Sequence, residues 1–158
     1  MIAYLEISPR LTGKTTRLCA LARDLLAQGR QVIFVCPLGD VLEIRLALPS
    51  AVVLGDGEPL PAFVDVDPDS ATWFYDEFDW LQNVQVRAGG YYATTAQRLR
   101  DPELDTPADD LLLQLLEANG NRHERHFWPF GLTGLAEFGA ATEDRDSYRL
   151  MYLGEFLQ

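Results

Sequence analysis

The beginning of the chain contains three segments whose order limits the folds that it can adopt. Ile2 to Ile7 is a short apolar run that predicts a buried strand, and Lys14 to Gln28 places leucine and alanine at helical spacing. The loop between them carries the sequence SPRLTGKT, residues 8–15. A second apolar run, Gln31 to Cys36, follows the helix. A strand, a crossover helix and a second strand imply parallel pairing and hence an α/β fold.

Three later apolar runs predict further strands. They are Ala51 to Leu54, Ala71 to Tyr75 and Tyr91 to Thr95. The Pro- and Asp-rich stretch between the first two, residues 56–70, predicts a loop. Together with the two earlier runs, these segments indicate a mostly parallel central sheet.

Helices are predicted for three more segments: Asp40 to Leu48, Phe78 to Val86 and Ala108 to Asn119. The stretch from Ser147 to Phe156 has no period that can be assigned. A chain of 158 residues suits one domain with a buried core. We therefore expect a single domain over residues 1–158, of which the part from 101 to 158 is less regular and acidic.

The charge of the chain is negative and unevenly distributed. The net charge is −11; residues 1–100 contain 9 Lys or Arg and 12 Asp or Glu, whereas residues 101–158 contain 4 and 12. An isolated molecule of this charge repels polyanions, because binding to a phosphate backbone needs a local surplus of basic side chains. Any action on nucleic acid is therefore expected to depend on a small arginine patch or on a partner.

One lysine stands out among the basic residues. Twelve of the 13 are arginine, and the single lysine is Lys14, directly after Gly13 and before Thr15. A compact ammonium group suits a position among phosphate oxygens in a way that a guanidinium does not. A lysine placed at random would fall here roughly once in 158. The position therefore favours a phosphate-binding loop over a chance Gly-Lys-Thr sequence at a helix start.

The segment matches most of the P-loop pattern, GxxxxGK[ST], with Ser8 in place of the first glycine. In that pattern backbone N–H groups surround phosphate oxygens, a lysine reaches the β- and γ-phosphates, and a hydroxyl binds Mg²⁺. ATP and Mg²⁺ are the predicted ligands, and the expected fold is a P-loop NTPase-like three-layer sandwich of the additional-strand type. The predicted nucleotide-binding residues are Ser8, Pro9, Arg10, Leu11, Thr12, Gly13, Lys14, Thr15 and Thr16.

Two acids follow the strand predicted from Ala71 to Tyr75. Because the carboxyl ends of parallel strands meet at one edge of a sheet, Asp76 and Glu77 are expected beside the loop that carries the lysine. Asp76 and Thr15 are the predicted magnesium ligands, and Glu77 is the predicted carboxylate that polarises the attacking water. The alternative is a pair of solvated acids that cap the next helix.

Three further residues join Glu77 and Lys14 as candidates for catalysis. Thr94 and Thr95 end a predicted strand, where a hydroxyl can contact the γ-phosphate or its attacking water; the alternative is two ordinary strand threonines. Arg10 lies four residues before Lys14. Its guanidinium can stabilise charge on the γ-phosphate, or it can point to solvent or to a neighbouring subunit.

Other residue types give weaker patterns. Cys19 and Cys36 fall in a predicted helix and a predicted strand, which is typical of reduced, buried thiols. Two cysteines are too few for a four-cysteine zinc site. His123 and His126 are spaced as a metal pair but are expected to be solvated. The tryptophans are expected to be core or half-buried anchors: Trp73, Trp80 and Trp128. Five arginines, most of them expected in solvent, are candidates for DNA or interface contacts: Arg87, Arg98, Arg100, Arg122 and Arg125.

Four segments resemble one protein family. SPRLTGKTT resembles the deviant Walker A motif of viral large terminase subunits, the ATPases that pump DNA into procapsids, in which an arginine four residues before the lysine is typical. FYDEFDWL resembles their Walker B motif, YYATTAQRL resembles their coupling motif, and YRLMYLGEF is similar to the stretch near the end of their ATPase domain. The resemblance implies Lys14 and Thr15 on phosphate and Mg²⁺, Asp76 on Mg²⁺, Glu77 as catalytic carboxylate, Arg10 as a cis arginine finger, and Thr94 or Thr95 in coupling.

The chain also departs from that family. Terminase ATPase domains are longer and have an upstream segment that grips adenine, whereas the first predicted strand here begins at residue 2. We also expect no acidic nuclease domain. We therefore expect a packaging-type ATPase that does not cut DNA and that acts as a homo-oligomer or with a partner on double-stranded DNA. The alternatives are a nucleoside or nucleotide kinase and a non-hydrolysing nucleotide-binding interaction module.

The sequence also bears on the compartment. No stretch approaches the roughly 20 apolar residues of a membrane span, and the first residues lack the pattern of a secretory signal. We expect a cytoplasmic protein without a membrane partner, located in the host cytoplasm if it is viral.

Overall fold

The structure is a computed structural model that describes residues 1–127 and 144–158. Its centre is a sheet of five parallel strands: β1 (Tyr4–Ile7), β2 (Val32–Cys36), β3 (Val52–Gly55), β4 (Thr72–Asp76) and β5 (Tyr91–Thr94). The order across the sheet is β1, β5, β4, β2, β3. The α/β class and the parallel sheet are therefore confirmed, and all five predicted strands are present.

Four α-helices lie in the described residues: α1 (Lys14–Ala27), α2 (Val41–Ala47), α3 (Leu111–Ala118) and α4 (Arg145–Tyr148). α3 begins later than predicted because the side chain of Asp110 accepts a hydrogen bond from the N–H of Leu113, at 3.1 Å, and so caps the helix. None of the helices in the two described ranges is long and apolar enough to cross a bilayer.

The helix predicted from Phe78 to Val86 is wrong. Only Phe78–Trp80 forms a single 3₁₀ turn, after which Leu81 is extended. The carboxylate of Asp56 accepts hydrogen bonds from the N–H groups of Gln82 and Asn83, at 2.8 and 3.1 Å. These donors are therefore satisfied without a helix, by a residue that is distant in the sequence.

The C-terminal segment, residues 145–158, packs against the loop that follows β1. It contains α4 and a π-helical turn, Arg149–Leu153, whose wider spacing explains why the sequence has no α-helical period here. Gly154 then adopts a φ of 63°. A Cβ at this position would lie 2.7 Å from Cδ of Pro9, so both the backbone conformation and the close contact require glycine.

Apolar side chains cover both faces of the sheet. Successive residues of a strand point to opposite faces, and Phe34 and Val35 of β2 accordingly belong to different apolar clusters. The cluster around Phe34 includes residues of α1 and α2, and the cluster around Val35 includes residues of α3 and the C-terminal segment. Cys19 and Cys36 are buried free thiols in the first cluster. The sheet is therefore sandwiched between two helical layers.

The register of the sheet brings the ends of three strands together. β5 lies between β1 and β4, with Ile7 opposite Thr94 and Asp76 opposite Ala93. Because all strands run in the same direction, their carboxyl ends form one edge. The loop after β1, the turn after β4 and the end of β5 meet there.

Candidate functional site

The loop between β1 and α1, residues 8–13, is called the lysine loop below. It turns tightly, since Leu11 and Gly13 have φ values of 57° and 85°. The hydroxyl of Thr12 donates to the carbonyl of Pro9, at 2.9 Å, and closes the turn. Gly13 is the N-cap of α1 and has no side chain that could accept from the first N–H groups of the helix. The loop therefore leaves backbone donors for another acceptor, as anion-binding helix starts do.

Lys14 reaches from the start of α1 to the ends of β4 and β5. Its side chain is 4% exposed, and its Nζ lies 2.7 Å from Oγ1 of Thr95, 3.3 Å from Oε1 of Glu77 and 3.1 Å from the carbonyl oxygen of Pro9. The ammonium group is thus fixed by partners from three segments of the chain. It lies at the sheet edge where the sequence predicted it.

Thr15 and Asp76 form a second contact across this edge. The Thr15 hydroxyl donates to Oδ2 of Asp76 at 2.6 Å. Asp76 is 1% exposed, and its Oδ1 atom has no hydrogen-bond partner within the two described ranges. Burial raises the pKa of Asp76 to about 7, although the hydrogen bond from Thr15 acts in the opposite direction. Asp76 is therefore a buried acid and not a solvated helix cap.

Glu77 is held in an uncommon backbone conformation, with a φ of 52°. Its Oε2 atom accepts a hydrogen bond from the N–H of Thr95 at 2.8 Å and from the hydroxyl of Thr94 at 3.3 Å. The side chain is 27% exposed, so it is anchored but still accessible. A strained residue that its neighbours hold in place is typical of functional sites. Thr94 and Thr95, both buried, therefore hold the Glu77 carboxylate in place.

Two cavities open at this edge and share Arg10 and Glu77. The first, called the loop cavity, has a volume of about 540 Å³ and is lined by Arg10, Leu11, Gly13, Lys14, Thr15, Asp40 and Glu77. The second, called the tryptophan cavity, has a volume of about 490 Å³ and is lined by Arg10, Pro37, Glu77, Trp80, Thr95 and Met151. The exposed side chain of Arg10 therefore stands where the two cavities meet.

The remaining residues of the predicted nucleotide-binding segment lie around the loop cavity or below it. Ser8 and Pro9 are buried, and the Ser8 hydroxyl accepts a hydrogen bond from the N–H of His126 at 2.9 Å. Thr12 is half-buried and Thr16 is exposed on α1. The structure thus brings Arg10, Leu11, Gly13, Lys14 and Thr15 to the cavity, whereas Ser8 and Pro9 are the buried first residues of the lysine loop.

Arg100 is fully buried, unlike most of the five candidate arginines. Arg100 is 2% exposed, and its Nη2 and Nε atoms donate to Oδ1 of Asp79 at 2.6 Å and to Oδ2 of Asp110 at 3.1 Å. Asp79 lies two residues after Glu77 and also accepts from the N–H of Gln97, at 2.7 Å. This buried ion pair connects the Glu77 turn to α3. No local sequence pattern predicts this ion pair, although the third acid of the DEFD segment, Asp79, is one of its members.

Of the other candidate arginines and tryptophans in the described residues, only Trp80 lines one of the two cavities. Trp80 lines the tryptophan cavity, 46% exposed, with its Nε1 donating to the carbonyl of Thr95 at 2.7 Å. Arg87 stacks over the ring of Trp73, at 4.1 Å from the ring centre. The arginines exposed as expected are Arg98, Arg122 and Arg125. Trp128 lies outside the described residues.

The two histidines are half-buried and not fully solvated. Nε2 of His126 lies 3.0 Å from a carboxylate oxygen of Glu124, and burial lowers the pKa of His123. Within residues 1–127 and 144–158, no group of three or more His, Cys, Asp or Glu side chains is arranged to hold a metal ion. The described part of the chain thus gives no support to a histidine metal pair.

Replacement of Asp76 by asparagine is expected to stabilise the protein in a pH-dependent way. Because the pKa of Asp76 is raised to about 7 on folding, the folded state disfavours the ionised carboxyl, and this cost grows as the pH rises from about 4 to 7. Asparagine has no such cost. The gain in free energy of unfolding from Asp76→Asn is expected to be about 2–3 kcal/mol larger at pH 8 than at pH 5.

Urea unfolding without nucleotide or magnesium, at both pH values, measures this difference. Asp24→Asn is the matched control, because Asp24 is exposed on the far half of α1. It is expected to change the free energy of unfolding equally at the two pH values. An equal effect of Asp76→Asn at pH 5 and pH 8 would contradict the raised pKa.

The chain was compared with known families, curated proteins and solved structures. No family model matches it, and neither a curated protein nor a solved structure gives a significant match. Its function is therefore inferred from the geometry of the site.

Proposed function

We propose that this chain is a Mg²⁺-dependent P-loop ATPase of the additional-strand type, similar to the motor domain of viral DNA-packaging terminases. One observation carries the proposal: the ammonium group of Lys14, the Thr15–Asp76 pair and the carboxylate of Glu77 meet at one edge of the sheet. These residues come from two motifs that are about 60 positions apart in the sequence. The position of β5 between β1 and β4 also supports the additional-strand type.

The residues at the edge fit a magnesium ion. Mg²⁺ prefers oxygen ligands and keeps several waters, so one hydroxyl and one carboxylate beside a polyphosphate suffice. Thr15 and Asp76 supply this pair, and the buried Oδ1 of Asp76 lacks a partner among the described residues. When bound, the ion neutralises charge on the phosphate oxygens.

The side chains then act in distinct roles. Lys14 binds the β- and γ-phosphates of ATP, whose oxygens replace Glu77 as its partners. Glu77, released from Lys14 and held by the N–H of Thr95, accepts a proton from the attacking water. The water oxygen bonds to the γ-phosphorus while the bond to the bridging oxygen breaks, and ADP leaves. Arg10 stabilises charge on the transferred group.

Thr94 and Thr95 link hydrolysis to the rest of the molecule in this proposal. Thr95 contacts Lys14 through its hydroxyl and Glu77 through its N–H, so it responds to the groups that hold the γ-phosphate. Its carbonyl accepts a hydrogen bond from Nε1 of Trp80, and Trp80 directly follows Asp79, which pairs with Arg100. The turn that carries Glu77, Asp79 and Trp80 thus connects the phosphate site to α3 through Arg100 and Asp110.

We propose double-stranded DNA as the ultimate partner, reached through a homo-oligomer or a partner protein in the cytoplasm, and in the host cytoplasm if the protein is viral. The net charge of −11 disfavours direct binding by a single copy. Arg122 and Arg125 are exposed on either side of Glu124, through which their segment pairs with the outer edge of β1, and we assign contacts with DNA to these two arginines.

A second candidate, phosphoryl transfer to a nucleoside, is favoured by the tryptophan cavity. This cavity adjoins Glu77 and is lined by a partly exposed indole and by Met151 and Pro37, which can pack against a planar acceptor. Glu77 would then take its proton from an acceptor hydroxyl instead of water.

One assay separates the candidates. Purified protein is incubated with γ-labelled ATP, with or without Mg²⁺, double-stranded DNA or a mixture of nucleosides. The proposal predicts Mg²⁺-dependent release of labelled inorganic phosphate; an increase with DNA would show that the purified protein acts on DNA without a partner protein. Label in a nucleoside monophosphate would establish the kinase, and binding of ATP without either product would establish a non-hydrolysing module.

A further inference from the structure

We propose that Arg17 is a positioning residue that fixes the lysine loop for phosphate binding, and that the buried carboxylate of Glu6 exists to hold it. The inference rests on the proposed function, because it concerns the same nucleotide site. Arg17 lies on the first turn of α1, and Glu6 lies on β1, two residues before the loop. Neither residue belongs to the P-loop pattern.

Arg17 connects β1 to the lysine loop, and all three nitrogen atoms of its guanidinium donate hydrogen bonds. Nε and Nη2 donate to the two carboxylate oxygens of Glu6, and Nη1 donates to the carbonyl of Thr12 at 2.7 Å. Such a two-point pair fixes the plane of the guanidinium as well as its position. Tyr4 adds a third donor to Glu6, from its hydroxyl at 2.7 Å. The Thr12 carbonyl is therefore tied to the rigid sheet.

The contact with Thr12 determines where the next N–H group points. The carbonyl of Thr12 and the N–H of Gly13 belong to one planar trans peptide, in which the two groups point in opposite directions. Holding the carbonyl against Arg17 thus turns the Gly13 N–H away from Arg17. Gly13 lines the loop cavity, and a Cβ here would lie 3.3 Å from Nη1 of Arg17. The hydrogen bond from Arg17 and the absence of a side chain at Gly13 therefore both favour this orientation of the Thr12–Gly13 peptide.

This loop needs an external anchor more than a glycine-rich loop does. Leu11 adopts a left-handed backbone with a φ of 57°, a conformation that leucine disfavours. The backbone at this position is consequently not in the conformation that its residue prefers. A hydrogen bond from a fixed side chain can hold such a conformation.

The buried carboxylate of Glu6 on β1 lowers the stability of the fold unless its contacts compensate for the loss of water. Glu6 is completely buried, and ion pairs in such places are often no more stable than apolar residues of similar volume. Burial alone would raise the pKa of Glu6, but hydrogen bonds from Arg17, Tyr4 and Ser8 together lower it, so the group is a carboxylate at neutral pH. A buried pair that fixes one geometry is the use best supported for such groups.

Calorimetric titration of ADP with Mg²⁺ tests the proposal on the full chain. Arg17→Met is expected to weaken ADP binding about tenfold, because it releases one oriented donor from the phosphate site. The KM for ATP is expected to rise by a similar factor, with kcat within about threefold, since the loss affects ground state and transition state alike. Arg23→Met is the matched control. Arg23 lies on the same helix and donates to a backbone carbonyl, that of Ala47, remote from the loop.

The double variant Glu6→Gln with Arg17→Met separates positioning from stability. Arg17→Met leaves the Glu6 carboxylate buried without its cation and is therefore expected to lower the thermal midpoint. Removing both charges is expected to restore the midpoint, whereas ADP affinity stays about tenfold weaker than in the unmodified protein. Recovery of ADP affinity together with the midpoint would overturn the proposal, as would ADP binding by Arg17→Met equal to that of Arg23→Met. Absence of ADP binding by the unmodified protein would instead overturn the proposed function itself, and this inference with it.

Discussion

Glu77→Gln is expected to lower kcat for ATP hydrolysis by about 100- to 10,000-fold, the range over which general base catalysis contributes. Glutamine has nearly the shape of glutamate and can still accept the hydrogen bond from the N–H of Thr95. It cannot take a proton from water at neutral pH. ATP affinity is expected to stay within a few-fold, because Lys14 and the lysine loop are unchanged.

Steady-state phosphate release and equilibrium binding of ATP measure the two effects separately. Glu43→Gln is the matched control: the same substitution removes an exposed charge on α2, outside both cavities. It is expected to leave kcat within about twofold. Equal rates for Glu77→Gln and the unmodified protein would assign the activity to a contaminant or to another base.

Arg100→Met is expected to destabilise the protein by about 3–5 kcal/mol, the usual cost of removing one partner from a buried ion pair. The substitution leaves the carboxylates of Asp79 and Asp110 buried without their main cation. The turn that carries Glu77 is held by Asp79, so the loss of stability is expected to be accompanied by a lower kcat. Urea unfolding monitored by tryptophan fluorescence measures the stability.

Arg98 offers an unusually close control for this prediction. It also pairs with Asp110, but its side chain is 47% exposed. Exposed pairs contribute about 1 kcal/mol or less, so Arg98→Met is expected to have a small effect. The double variant Arg100→Met with Asp79→Asn is expected to recover part of the lost free energy. Equal destabilisation by Arg98→Met and Arg100→Met would show that the buried pair has no special role.

The parts of the fold that follow from local rules could be predicted from the sequence. Five apolar runs became five strands, because a strand that is buried on both faces of a parallel sheet must be apolar along its length. The proximity of Lys14, Asp76 and Glu77 followed from the same rule, since the ends of parallel strands share one edge.

The parts that depend on distant partners could not be predicted. Phe78 to Val86 has a composition compatible with a helix, but Asp56 supplies the hydrogen bonds that an extended path needs. Arg100 has the sequence environment of a surface arginine and is nevertheless buried, because Asp79 and Asp110 converge on it only in the folded chain. The ion pair between Glu6 and Arg17 could not be predicted for the same reason, since the two residues meet only when α1 packs beside β1.

The π-helical turn, Arg149–Leu153, was beyond local rules for another reason. In a π-helical turn the side chains on one face recur with neither the 3.6-residue period of an α-helix nor the 2-residue period of a strand, the two periods by which apolar patterns are recognised. Its position is set by contact with the lysine loop, where the N–H of Arg10 donates to the carbonyl of Met151 at 2.8 Å. An element whose position depends on such a distant contact carries little local signal in the sequence.

The most direct test of the account is equilibrium binding of ATP with Mg²⁺ to the unmodified protein and to Lys14→Ala, with Arg30→Ala, an exposed basic residue beyond the end of α1, as the control. The account predicts that Lys14→Ala weakens binding roughly 10- to 100-fold, the value of charge-assisted bonds to phosphate, while Arg30→Ala does not. Binding by Lys14→Ala as tight as that of the unmodified protein would contradict the central claim that this ammonium group receives the phosphates of a nucleotide.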